Sequence, residues 1–170
     1  MRIAVLIAGA LAVPLSFASA WALTPHWQTY APDHAGFTVE MPDKPTLKDE
    51  VRKGRATYSA VVSFDKSVAG ADLVFIVKYQ TAQGNPGPDA DAILNQVVKA
   101  MSEGGKLIDN EKQTVGGFPA RQFSFRDADG DTFMVRLALT DHAFLETLYS
   151  GPLNNPLGKK FIASLAVTKK

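Results

Sequence analysis

The chain has 170 residues, with 18 lysines and arginines against 17 aspartates and glutamates, and no cysteine. The missing cysteine excludes disulfides, thiolate nucleophiles and thiolate metal sites. The charge balance, with both signs mixed in stretches such as KPTLKDEVRKGR (residues 44–55), argues against a basic nucleic-acid face.

Residues 1–22, MRIAVLIAGALAVPLSFASAWA, follow the pattern of a secretory leader. Arg2 is its lone charge. Ile3 to Phe17 form an apolar core broken by Gly9, Pro14 and Ser16, and Ala18-Ser19-Ala20 or Ala20-Trp21-Ala22 offers small residues for cleavage. The apolar run is shorter than the ~20 residues that span a bilayer, although an uncleaved anchor is the alternative. The expectation is therefore a periplasmic protein cleaved near Ala20 or Ala22, with no membrane span afterwards. Residues 23–170 then form a single α+β domain. A chain of about 150 residues buries about 68–70% of its unfolded surface, enough to fold without covalent staples.

Phe37, Val39 and Met41 alternate with polar neighbours, the pattern of a half-buried strand ended by Pro42. A second alternating run follows at Leu47, Asp49 and Val51, with a turn at Gly54. A third runs through Tyr58, Ala60, Val62 and Phe64. DKSVAGAD reads as a loop. From Leu73 to Val77 both faces are apolar, which predicts a central strand covered on two sides.

The period then changes. Gly84, Pro86, Gly87 and Pro88 form a loop, and Asp89 or Asp91 is placed to cap a helix by accepting its free backbone N–H groups. Ile93, Val97 and Ala100, flanked by Leu94, Val98 and Met101, supply its apolar stripe. Gly104 suits a left-handed residue beyond the helix end. KLIDNEKQTV has the low hydrophobicity of an edge strand. A long hairpin follows over ARQFSFRDADGDTFMVRLALT, and AFLETLY pairs with it after a tight turn at Asp141 and His142. Leu157, Phe161 and Leu165 predict a closing helix beginning near Pro156. Together these elements predict six or seven mostly antiparallel strands with a main helix and a C-terminal helix packed on them.

The stretch RDADGDTF raises the question of a calcium loop. Counting from Asp127, Thr132 stands where the loop glycine belongs and Ala138 where the bidentate glutamate belongs, so the calcium pattern fails. A hairpin with loop residues Ala128, Asp129 and Gly130 places Phe125 opposite Phe133, Phe123 opposite Val135 and Arg121 opposite Leu137. A two-residue loop would set Phe123 against Arg136, and a one-residue slip turns every side chain to the other face. The three-residue loop requires a left-handed residue at Gly130.

No catalytic, cofactor or metal site follows from the spacing. The three histidines, His26, His34 and His142, show no zinc pattern, and no serine sits in a G-x-S-x-G elbow. The residues that remain as a ligand or partner surface are Trp27, Tyr30, Arg126, Met134 and Arg136. Trp27, Tyr30 and Phe37 equally suit a packing cluster. Arg136 suits either an anion or a cross-strand or neighbouring-strand partner such as Glu146. The hairpin face bearing Gln122, Ser124, Arg126, Thr132, Met134 and Arg136 is mixed in polarity.

In order, W-x-x-Y, GFTVEMPDKP, VFIVKY, VGGFPARQF, MVRLAL with FLETLY, and FIASLAV resemble the small exported proteins of Gram-negative bacteria related to PsbP, the extrinsic photosystem II protein. A eukaryotic Ran-binding import factor shares that fold. The resemblance implies an antiparallel sheet flanked by helices, and binding or assembly rather than catalysis. It defines no functional residues, so none is carried over. The expected function is a soluble, non-enzymatic binding or assembly module for a protein or envelope component. A carrier of a small apolar or lipid-like ligand, held between sheet and helix, is the alternative. A hydrolase of unfamiliar type is the third.

Overall fold

The computed structural model describes residues 24–33, 35–52, 55–81 and 87–168. The expected leader over residues 1–22, the turn at Gly54, His34, and Gly84 and Pro86 lie outside the described residues. In chain order the elements are β1 (Gln28–Tyr30), β2 (Phe37–Met41), β3 (Thr46–Arg52), β4 (Arg55–Phe64), the short α1 (Lys66–Ala69), β5 (Leu73–Thr81), α2 (Ala90–Met101), β6 (Lys106–Val115), β7 (Phe118–Arg126), β8 (Thr132–Leu139), β9 (Ala143–Ser150), α3 (Pro156–Ala163) and β10 (Ala166–Val167).

Seven strands form one antiparallel sheet in the order β3-β4-β5-β9-β8-β7-β6, and β1, β2 and β10 form a second sheet of three. This is the expected α+β build, with one difference. The first alternating strand, β2, belongs to the second sheet, where it buries Phe37, Val39 and Met41 against the large one. That sheet and α3 cover one face, with Phe75, Val77, Leu145, Tyr149, Phe161 and Ile162 at the centre of the core. On the other face α2 packs over β7 and β8.

Because α2 lies toward the β6 edge, β5 is covered on two sides less completely than its sequence suggests. Leu73, Phe75 and Val77 are buried, while Val74 and Ile76 are half-buried. The α2 stripe is also rotated from the expected one. Ala90, Leu94 and Val98, at i, i+4 and i+8, meet Phe123, Phe125, Val135, Leu137 and Leu139. Ile93 remains 39% exposed and Ala100 is exposed. The arc centred on Leu94 faces the sheet, and residues on its flank reach past it. Asp89 occupies the cap position but makes no side-chain cap bond. A single 3-10 turn at Gly87–Asp89 leads into the helix instead. Asp91 turns away to Lys112 and Arg121 of the sheet. β3 alternates as expected, yet as an edge strand it leaves Leu47 and Val51 60% and 73% exposed. The loop expected at DKSVAGAD contains the single turn α1.

The long hairpin has the register that the apolar pattern requires: Phe125 opposite Phe133, Phe123 opposite Val135 and Arg121 opposite Leu137. The Phe125 and Phe133 rings stack at 4.8 Å. Gly130 has φ +94, and the Asp127 carboxylate accepts from the backbone N–H of Asp129 and Asp131. Its oxygens thus organise the turn. Replacing Gly130 by valine forces a β-branched residue into the left-handed region and is expected to cost about 1–2 kcal/mol. Urea unfolding should show this as a lower midpoint at unchanged slope.

At the other end of the sheet, α3 begins at Pro156, with Asn155 as its cap accepting from the Leu157 N–H at 2.9 Å. Gly158 lets the helix settle onto the Tyr149 ring, since a Cβ there would stand 2.5 Å from the ring edge. Burial pushes the Tyr149 phenol up to about 12, against a smaller opposing effect of the Asn155 side chain. The folded state therefore holds this proton more tightly than the unfolded chain, whose phenol ionises near 10. The associated stability is fully present below pH 10 and is lost as pH rises toward 12, with a loss on the order of 2 kcal/mol from this group. Guanidinium unfolding between pH 9 and pH 12 should show that fall, and Tyr149→Phe should flatten part of it.

Candidate functional site

The α3 side of the large sheet is not covered uniformly. Between β6, β7 and β8, the loop before α3 and α3 itself lies a cleft of about 280 Å³. Its lining is Asp109, Gln122, Phe123, Ser124, Met134, Leu153 and Lys159. Gln122, Ser124 and Met134 come from the mixed hairpin face.

Asp109 arrives there through an irregularity in β6. Leu107 pairs with Phe125, but the next paired residue is Asp109, opposite Ser124, so Ile108 is an extra residue in the ladder. A bulge of this kind breaks the two-residue alternation. Leu107 and Asp109, which strict alternation would place on one face, therefore stand on opposite faces. Ser124 is 4% exposed and donates its hydroxyl hydrogen bond to the Asp109 carboxylate.

Gln122 is held from behind. Arg136 donates to its Oε1 from Nε at 3.1 Å and from Nη2 at 2.6 Å. Arginine only donates, so these bonds identify the Gln122 oxygen and leave its NH₂ as the group free to donate. The third Arg136 contact, Nη1 to the Ala163 carbonyl at 3.3 Å, ties the sheet to the last turn of α3. Desolvation lowers the affinity of Arg136 for its proton. Among the described residues no carboxylate pairs with Lys159 on the opposite wall.

These contacts give Arg136 the expected kind of partner, across the hairpin, but it is Gln122 and not Glu146. Glu146 stands opposite Leu137, on the α2 face, and binds Lys78 at 3.1 Å, whereas Arg136 stands opposite Thr147. The two-residue turn at Asp141 and His142 sets that register. The sequence therefore held the signal that separates Arg136 from Glu146.

The other candidate surface residues lie elsewhere. Trp27 is half-buried with the Lys160 ammonium 4.0 Å above its ring. Tyr30 packs edge-on against Phe37, with centroids 6.4 Å apart, and burial followed by nearby Asp49 raises its phenol pKa. Both belong to the packing cluster that joins the small sheet to the core. Arg126 is exposed at the end of β7. Of the five, Met134 lines the cleft and Arg136 supports it from behind Gln122.

Neither His26 nor His142 lines the cleft, and among the described residues no group of three histidine or acidic side chains is placed to hold a metal ion. The α2 interface, which a carrier of apolar ligands would need to keep hollow, is filled by Leu94 and Val98 against Phe123, Phe125 and Val135. No helix among the described residues is long and apolar enough to cross a membrane.

The chain is thus an α+β protein whose antiparallel sheet carries helices on both faces and a polar cleft beside α3. No protein-family model matches its sequence, and no curated protein matches it significantly. Among solved structures it is similar to the cyanobacterial PsbP protein of Synechocystis sp. PCC 6803, at 13% identity over 91% of this chain and 99% of that one, with TM-score 0.49. It is also similar to a Pseudomonas aeruginosa protein of unknown function, at 18% identity over 75% and 84% of the two chains, with TM-score 0.42. A Bacteroides thetaiotaomicron protein shares 15% identity over 84% of this chain, with TM-score 0.44. The chain spans about half of that protein, 48% of its length. No residue or role passes from these structures to this chain.

Proposed function

We propose that the protein is exported to the periplasm and acts there as a non-enzymatic binding or assembly module, recognising a protein or envelope component at the cleft beside α3. The supporting observation is the cleft itself: polar groups from two strands and from α3 converge on it, and Lys159 on its rim has no ionic partner among the described residues. Specific sites combine apolar walls with a few placed polar groups, and here Met134 and Leu153 supply the apolar wall.

The test is affinity capture from periplasm with the wild-type protein and with Met134→Glu, identifying co-purifying proteins and extracted small molecules by mass spectrometry. The wild type should retain a partner that the variant loses while keeping its fold by circular dichroism. Recovery of the same material by both proteins, or turnover in a general esterase screen that Ser124→Ala removes, would overturn the reading.

A further inference from the structure

Asp109 and Lys159 line one cleft with opposite charges, and no ion pair joins them. One Asp109 oxygen is engaged by the Ser124 hydroxyl, leaving the carboxylate's other oxygen to accept. Within the cleft the Gln122 amide is held with its NH₂ available to donate, because both Arg136 bonds go to its oxygen. The cleft therefore presents an acceptor at Asp109 and donors at Lys159 and Gln122. Met134 and Leu153 supply apolar wall around them.

We propose that this cleft binds a free α-amino acid with an aliphatic side chain, an inference that rests on the cleft being a binding site and goes beyond the protein or envelope partner proposed above. The ligand ammonium bonds to Asp109, its carboxylate bonds to Lys159 and the Gln122 amide, and its side chain lies against Met134 and Leu153. The size agrees. A volume of about 280 Å³ is just under the ~300 Å³ at which pockets for drug-sized ligands begin, and suits a molecule of roughly ten non-hydrogen atoms. A simple anion would leave Asp109 facing like charge, and a simple cation would leave Lys159 so placed. A ligand carrying both charges satisfies both poles.

Arg136 has a defined part in this arrangement. It is a positioning residue: it fixes the orientation of the Gln122 amide and makes no contact with the ligand. Arg136→Lys cannot grip one oxygen with two donors from a planar fork.

Calorimetric titration of the purified protein with L-leucine, leucinamide and 4-methylpentanoate tests the proposal. Leucine should bind, and each analogue lacking one charge should bind roughly tenfold or more weakly, as expected for a lost charged hydrogen bond. Lys159→Met should erase the preference for leucine over leucinamide, while Asp109→Asn should erase the preference for leucine over 4-methylpentanoate. Both changes fall on exposed side chains, and unchanged melting curves will confirm intact folding. Arg136→Lys should weaken leucine but leave leucinamide unchanged, a split that general loosening of α3 would not produce.

No leucine binding at concentrations on the order of 10 mM, equal binding of the three compounds, or indifference to both charge variants would overturn the proposal. If leucine fails while Met134→Glu still removes a captured partner, the ligand class falls and the binding module stands. If both fail, both fall.

Discussion

Phe75→Ala is expected to lower the unfolding free energy by about 3–5 kcal/mol, the range for a large aromatic removed from an enclosed site. Phe75 is 0% exposed on β5, and its ring meets Phe64 at 6.1 Å, Tyr149 at 5.2 Å and Phe161 at 5.4 Å. These partners belong to β4, β9 and α3. The void would thus open where strands and helix meet, and no single side chain can move to fill it. Against a total of about 5–15 kcal/mol for a typical domain, the loss is severe. Thermal melting followed by circular dichroism should show a fall of roughly 10 °C or more. A fall of only a degree or two would mean that the ring is not enclosed as described.

Gly158→Val is expected to cost about 3 kcal/mol, the upper end for overpacking a filled interface. Gly158 is buried under Tyr149, and a Cβ would stand 2.5 Å from Cε1 and 2.6 Å from Cδ1 of that ring. Tyr149 is itself 0% exposed and tilted against Phe75, so it has nowhere to retreat. Gly158→Ala supplies a test by sign. In an exposed helix the change from glycine to alanine stabilises by about 1 kcal/mol, whereas here the clash should reverse it. An Ala variant more stable than wild type would refute the close approach. Because Lys159 follows Gly158 in α3, displacement of the helix should also disturb the cleft wall.

The parts of the fold that the sequence made legible are those in which neighbours in the chain are neighbours in space. The β7–β8 hairpin is the clearest case, because Phe123, Phe125, Phe133, Val135 and Leu137 share a face in one register only. The start of α3 at Pro156 followed from local chemistry in the same way. The transfer of β2 to a second sheet was not legible, since Phe37, Val39 and Met41 alternate identically whichever sheet receives them.

The cleft was hidden for a different reason. Gln122, Ser124 and Met134 were visible on one hairpin face, but Asp109 reaches them through the extra residue Ile108, and Lys159 through the docking of α3. Strict alternation puts Asp109 on the wrong side, and nothing local places Lys159 opposite Met134. The rotation of the α2 stripe toward Leu94 had a similar origin. Ile93 and Leu94 are equally apolar, and only the position of the helix over β7 and β8 decides between them.

The irregularity at Ile108 has a second effect, because β6 is the last strand of the large sheet. An outermost strand is a template on which foreign chains stack, and a uniform ladder invites that growth. A guest strand laid along β6 would fall out of step on passing Leu107, and it would meet Lys106, Asp109, Glu111 and Lys112 along its length. The same inserted residue that aims a carboxylate into the cleft thus helps keep the sheet from propagating into fibrils.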